Sequence, residues 1–404
     1  MFRRLLTATV TFFQSFFLQE SQLSLAQKWV LGLVNLAAVV LFWVLSSFLV
    51  NDLFETKIYR KPFFITWINT SCFTLFLIPY MKYERLSVND FIAVIRRSWN
   101  QQRYTRLRDQ ELLPETPNEY GLLMEQLSTA EPPPEVVKPA DEEVPMIETI
   151  KLSLQFIVLW FLANLVTNSS LSYTSVASQT ILSSTSSFFT LIVGHFYLVE
   201  TINRNKIIGI LLSFAGVLIV TKIDASDSNQ TPTASSPMLI LWGNFLALAG
   251  ALIYGVYTIL LKKKITVPDK RKERILNTHL FFGFVGLYCL VFLWPLIIIL
   301  HFTGLEEFEV PKGLYVLALL GANAFITFIS DFCWCKAVLL TSPLTVTVGL
   351  SLTIPLAMVG DWFIRGFHVN AWYIFGAAVV TVGFMVINRD EKEEFVGEDP
   401  EESS

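Results

Sequence analysis

An all-α membrane protein of ten spans, built from one unit written twice, is the fold class that this chain of 404 residues predicts. Three observations carry it. Apolar side chains make up 53% of the chain and the mean hydropathy is +0.52, well into membrane-protein composition. Ten apolar runs reach the roughly 20 residues needed to cross about 30 Å of hydrocarbon. Finally, Leu159 to Thr221 aligns without a gap beside Ile326 to Asn388, pairing Asn164 with Asp331, Thr174-Ser175 with Thr341-Ser342, Ser184 with Ser351, Gly209 with Gly376 and Gly216 with Gly383. Duplicated membrane helices are a signature of secondary transporters, whose substrate sits at the seam between the copies.

In chain order, residues 1–28 form a cytosolic segment. Phe2, Leu5, Leu6, Val10, Phe13 and Phe17 lie on one helical face beside Arg3 and Arg4, the pattern of an interfacial helix or of a mitochondrial targeting peptide. The first repeat, 29–222, has spans near 29–50, 62–81, 150–168, 176–199 and 206–222. Residues 82–149 interrupt it with Pro132-Pro133-Pro134 and an acidic stretch, predicting a disordered insert. The linker 223–237 carries a glycosylation sequon at Asn229-Gln230-Thr231. The second repeat, 238–388, has spans near 238–261, 278–302, 313–335, 343–364 and 371–388, and an acidic tail fills 389–404. Ser and Thr weaken the fourth and ninth runs on hydropathy alone; the duplication supports both.

Orientation follows from basic residues. With a cytosolic N-terminus, 24 of the 30 Lys and Arg fall on the cytosolic side; only Lys57, Arg60, Lys61, Lys222, Lys312 and Arg365 do not. The positive-inside rule then puts both termini in the cytosol. The net charge of −4 comes from the insert and tail. Basic residues in the insert are diluted by 13 acids, so nucleic acid is not an expected partner.

Enzyme chemistry is hard to find. Cys72, Cys289, Cys333 and Cys335 all lie in expected spans, Cys333-Trp334-Cys335 has no second pair or spaced His to hold zinc, and the four His are scattered. No Gly-rich loop cradles a phosphate, so ATP is not the expected energy source. Neither metal nor cofactor is expected.

The informative polar groups are inside the spans. Asn323, Thr327, Asp331 and Cys335 recur every fourth residue along the eighth, as do Trp160, Asn164 and Asn168 in the third. Gln179, Ser183 and Ser187 in the fourth, and Thr347 and Ser351 in the ninth, extend the set. Such groups avoid lipid and face the bundle interior. Trp160, Asn164, Gln179, Ser183, Asn323, Thr327, Asp331, Thr347 and Ser351 are therefore the candidate substrate-cavity residues. Asp331, the one carboxylate well inside a span, is the proton-coupling candidate. For any single Ser or Thr, helix packing is the competing reading, as is a packing aspartate for Asp331.

The sequence also resembles the drug/metabolite transporter (EamA-type) superfamily, in the solute carrier family 35, subfamily F, member-five-like branch of fungi and animals. The likeness is carried by Tyr59-Arg60-Lys61-Pro62-Phe63-Phe64, Leu159-Trp160-Phe161-Leu162-Ala163-Asn164-Leu165, Leu182-Ser183-Ser184-Thr185-Ser186-Ser187, Ser330-Asp331-Phe332-Cys333-Trp334 and Thr341-Ser342-Pro343-Leu344-Thr345-Val346-Thr347-Val348-Gly349-Leu350-Ser351, and covers nearly all of 27–390. It implies two inverted five-helix repeats. An odd number of spans makes the second copy enter from the opposite face. The likeness is strongest to fungal vacuolar-membrane and thiamine-repressible members, implying a vacuolar membrane, with Golgi, endosomal or mitochondrial membranes as alternatives. The expected activity is movement of a small organic solute across that membrane by alternating access, with the lipid bilayer as partner; a homodimer is compatible with such a bundle. A receptor or scaffold that kept the transporter fold, an intramembrane enzyme and a nucleotide-sugar antiporter are the other readings. The last is disfavoured because Thr347-Val348-Gly349-Leu350-Ser351-Leu352 lacks the Asn and Lys of the nucleotide-contacting motif in family 35.

Overall fold

A computed structural model of the chain describes residues 24–55, 61–111, 143–170, 173–174, 176–227, 237–266, 274–365 and 371–396. The N-terminal amphipathic stretch and the Asn229 sequon lie outside them. The helices are α1 (Leu25–Glu55), α2 (Pro62–Ser71), α3 (Leu77–Tyr83), α4 (Val88–Glu111), α5 (Met146–Ser170), α6 (Val176–Ser184), α7 (Ser186–Phe196), α8 (Arg204–Asp227), α9 (Pro237–Ile265), α10 (Thr278–Phe292), α11 (Trp294–Thr303), α12 (Leu314–Leu340), α13 (Pro343–Gly349), α14 (Thr353–Arg365) and α15 (Ala371–Val396). A 3₁₀ turn at Cys72–Phe76 joins α2 to α3, and another at Leu350–Leu352 joins α13 to α14.

Among the described residues nine helical segments are long and apolar enough to cross a membrane. The fourth expected span is not one of them: it is α6 and α7, interrupted at Thr185. Ser184, Thr185 and Ser187 each donate a hydroxyl to a carbonyl three residues back, competing with the helical ladder. The ninth breaks at the repeat-equivalent place, where Thr353 donates to the Leu350 carbonyl at 2.7 Å.

Packing exposes the inversion. The first span, α1, lies along α12, and its repeat mate, α9, lies along α5. The most extensive contact joins the mates α8 and α15. A Cβ on Gly209 would meet the Gly383 carbonyl at 3.0 Å, and one on Gly216 would meet the Gly376 carbonyl at 2.8 Å. As one number rises the other falls, so the two copies run antiparallel. Glycine is required there because the facing atoms are backbone and cannot yield.

One end of the bundle gathers most of the described basic residues, and contacts across it tie the connections together. Trp29 donates its indole N–H to Asn388 at 3.2 Å, Arg274 meets Glu148 at 3.1 Å, and Lys262 donates to the carbonyls of Leu339 and Thr341 at 3.0 and 2.8 Å. The last pair satisfies orphan carbonyls at the C-terminus of α12, where a cation is favoured. At the opposite end, Glu306 accepts from the amides of Phe63 and Phe64 at 2.9 and 3.1 Å, capping the first turn of α2.

Two expectations need correction. Residues 82–149 are not disordered throughout: α4 occupies Val88–Glu111, capped by Ser87 and Asp90, which exchange side-chain and backbone hydrogen bonds. The last span also does not stop at 388. Helix α15 runs through the acidic residues to Val396, because Glu391 and Glu394 find a buried cation in Lys206.

Candidate functional site

The core is aromatic. Phe73, Phe76, Phe156, Phe281, Phe282, Phe332 and Trp334 bring spans two, three, seven and eight into one apolar cluster. Asp331 lies at its edge on α12, one turn from Trp334, and is buried at 7% exposure. The Trp43 indole of α1 approaches it as a hydrogen-bond donor, whereas Oδ2 is shielded from solvent without a hydrogen-bond partner. Tyr254 and Tyr257 of α9 are near enough to feel the carboxylate. A buried carboxylate oxygen with no donor carries most of its desolvation penalty uncompensated, so Asp331 costs stability where it stands.

Beside it runs a chain of polar contacts through four spans. Trp334 donates its indole N–H to the Tyr254 hydroxyl at 3.0 Å. Thr347 of α13 is in hydrogen-bonding reach of the same phenol, and its hydroxyl lies 3.4 Å from that of Thr190 on α7. Thr347 also donates to the Pro343 carbonyl at 2.7 Å, bonding back within α13. The contacts thus bridge both repeats: spans six, eight and nine from the second, span four from the first.

The other sequence candidates scatter around this centre. Asn323 is buried two turns from Asp331 on α12 and accepts from Ser46 at 2.7 Å, linking α12 to α1. Thr327, between them on α12, is half-buried, as is Ser351 at the 3₁₀ turn. Asn164 donates to the Trp160 carbonyl of its own helix at 2.8 Å. Gln179 donates to Ser183 at 3.0 Å, also within one helix. Of these candidates Thr347 is part of the hydrogen-bonded chain and Asp331 lies near its Tyr254 end, whereas the hydrogen bonds of Asn164 to Trp160 and of Gln179 to Ser183 stay within their own helices.

The cluster is sealed toward the basic end. Every residue from Ser330 to Gly349 is buried, whereas Leu350 to Ala357 and Ile181 to Ser186 are half-buried. Leu191, Ile210, Leu344, Val348 and Ile387 form an apolar layer there. Over it sits Lys206, its ammonium 2.8 Å from Glu394, 3.7 Å from Glu200 and in contact with Glu391. Thr201 accepts a further hydrogen bond from it at 3.1 Å. Glu200 also accepts from the Leu344 amide at 3.1 Å, tying the turn after α7 to the start of α13. Burial, with Glu391 adding to it, pushes the Glu200 carboxyl well above the ordinary glutamate value. The chain reaches this position through Leu198, whose φ of 57° is left-handed and carries a cost for a non-glycine residue.

Sequence reasoning missed Trp43, Tyr254 and Tyr257, which look like any aromatic residue of an apolar span. It also missed the Lys206 cluster. A lysine two residues inside a span, with acids in the preceding turn and at the other repeat's end, was the available signal.

Known proteins agree with this architecture. The EamA-like transporter family matches residues 139–222. An uncharacterized vacuolar membrane protein of Saccharomyces cerevisiae is 44% identical over 93% of this chain and 94% of its own length. The thiamine-repressible mitochondrial transport protein THI74 of the same yeast is 40% identical over 89% and 91%. Solute carrier family 35 member F5 of Mus musculus is 29% identical over 91% of this chain and 78% of its own. One solved structure superposes with a TM-score of 0.54 at 13% identity, covering 91% of this chain and 98% of that one, a likeness of fold alone. The chain is therefore a multi-pass membrane transporter of the EamA-like family, in the branch that holds solute carrier family 35 member F5 and its fungal relatives.

Proposed function

We propose that this protein is a secondary transporter that carries a small organic solute across an organelle membrane by alternating access, with Asp331 as the group that exchanges a proton during the cycle. The observation that carries this reading is the Asp331 carboxylate, buried with an unpartnered oxygen beside Trp43, Tyr254 and Tyr257 where spans one, six and eight meet. A proton or a bound solute satisfies that oxygen, and either event changes the relative stability of the two access states by differential affinity. The sealed basic end and half-buried residues beyond Gly349 support assigning this conformation to the state closed toward the basic face. In the reverse state, the Glu200–Leu344 and Lys206 contacts would separate.

The positive-inside distribution makes the basic face cytosolic, and similarity to a yeast vacuolar membrane protein favours the vacuole. The mitochondrial name of THI74 makes mitochondria the alternative compartment to examine in fractionated cells.

Uptake into sealed proteoliposomes, screened across vitamins, amino acids and nucleotide sugars with and without a pH gradient, tests the function. Asp331→Asn keeps the size and hydrogen-bonding capacity while removing the titratable group. It should retain solute exchange and lose accumulation driven by the gradient. Accumulation equal to the parent's would remove Asp331 from coupling and leave it a packing residue.

A further inference from the structure

We infer that α4 is an in-plane membrane-surface helix that docks on anionic phospholipid headgroups at the basic end of the bundle. The turn after α3 is tight: Arg85 takes a φ of 53° and the Leu86 amide bonds to the Met81 carbonyl at 2.8 Å. The capped start of α4 therefore stands a few residues from the end of the second span, at headgroup height.

Its inner face is settled by contacts. Phe91 is buried among Leu77, Ile147, Ile150, Leu280 and Phe284. Further along, Gln102 accepts from Lys151 at 2.9 Å, pinning the helix to the start of α5. Phe91, Ile95, Ser98 and Gln102 share that face by helical spacing. Immediately beside it, Val88, Ile92 and Trp99 form a second stripe with more than half of each exposed, the Lys151 ammonium lying 5.8 Å from the Trp99 ring centroid. Arg96 and Arg97 are exposed as well. By helical spacing Arg96 borders this stripe, whereas Arg97 lies on the opposite side of the helix; an apolar stripe that holds a tryptophan and is bordered by an arginine is the pattern of a helix lying in a bilayer interface.

Charge selects the kind of bilayer. Residues 82–111 carry seven Lys and Arg against four acids, whereas 112–149 carry Lys138 alone against nine acids. The basic half is the part held against the membrane end of the bundle. Guanidinium groups pair bidentately with phosphate and carboxylate, both present on phosphatidylserine.

The test uses the full chain in nanodiscs of phosphatidylcholine alone or with about one-third phosphatidylserine, reading backbone hydrogen exchange across 86–102. A basic residue beside an anionic leaflet contributes about a fivefold preference, so Arg96, which borders the stripe, predicts exchange roughly fivefold slower with phosphatidylserine. Arg96→Gln with Arg97→Gln should abolish the difference, Arg96→Lys with Arg97→Lys should keep most of it, and raised salt should shrink it. These side chains are exposed, so both double variants should fold. Equal exchange in the two bilayers overturns the inference. Deleting 112–142 separates the competing occupant, the chain's own acidic half: dependence on phosphatidylserine that survives supports the lipid, and dependence lost with the deletion overturns it.

Discussion

Replacing Lys206 by Met should be among the most damaging single changes outside the polar centre. The Lys206 side chain is 1% exposed, and those of Glu200 and Glu391 are 2% and 6% exposed. Methionine fills much of the same volume, so the loss is chiefly the ammonium and the hydrogen bonds it donates. Glu394 can turn to water, since its side chain is 36% exposed. Glu391 cannot, and Glu200 already tends to the neutral form through burial. The uncompensated charge therefore falls mainly on Glu391. Breaking a buried pair by removing one partner destabilises by about 3–5 kcal/mol. That is roughly a hundred- to several-thousandfold in the unfolding equilibrium. Equilibrium unfolding in mixed detergent micelles, followed by far-UV circular dichroism, measures it. Lys206→Met combined with Glu391→Gln should recover much of the loss, because the orphaned charge is then gone. A single-variant loss within about 1 kcal/mol of zero, the value of an exposed ion pair, would refute the reasoning.

Three further outcomes are expected. Because burial raises the Glu200 carboxyl above its ordinary value of 4.5, its folded form holds a proton that the unfolded chain releases. Its contribution is thus fully present below pH 4.5 and is lost as pH rises through the raised value; Glu200→Gln should flatten that part of the stability–pH curve, and an unchanged slope would contradict the assignment. Gly383→Ala would set a Cβ 2.6 Å from the Ser213 amide nitrogen and 2.7 Å from the Gly209 carbonyl, destabilising by about 1–3 kcal/mol, whereas Gly321→Ala, inside α12 with nothing within 4 Å, should hold or slightly raise the unfolding midpoint. Phe63 and Phe64 donate to different oxygens of Glu306, so Glu306→Gln keeps an acceptor for only one of the two amides and also loses the charge at the α2 N-terminus; hydrogen exchange there should rise by roughly five- to a hundredfold, matching about 1–3 kcal/mol.

The membrane class, most of the spans and the duplication are legible in the sequence, because each depends on local composition or on comparison of the chain with itself. Asn164 and Asp331 were readable as partners in the repeat for the same reason, and the odd number of spans per copy already required inversion. The antiparallel Gly209–Gly383 and Gly216–Gly376 crossings are the physical form of that requirement. What each polar group meets depends instead on how the helices pack. Asn164 and Asp331 occupy equivalent positions, yet one bonds to its own helix and the other keeps an unpartnered oxygen beside aromatic residues of spans one and six. Lys206 reads as an ordinary basic flank until Glu391 and Glu394, far along the chain, arrive from the other repeat. Composition likewise assigned the whole insert to disorder, whereas α4 gains its order from burying Phe91 against the bundle. Hydropathy and periodicity report what one segment prefers; burial and pairing depend on which distant segment packs against it, and that is a property of the assembled bundle.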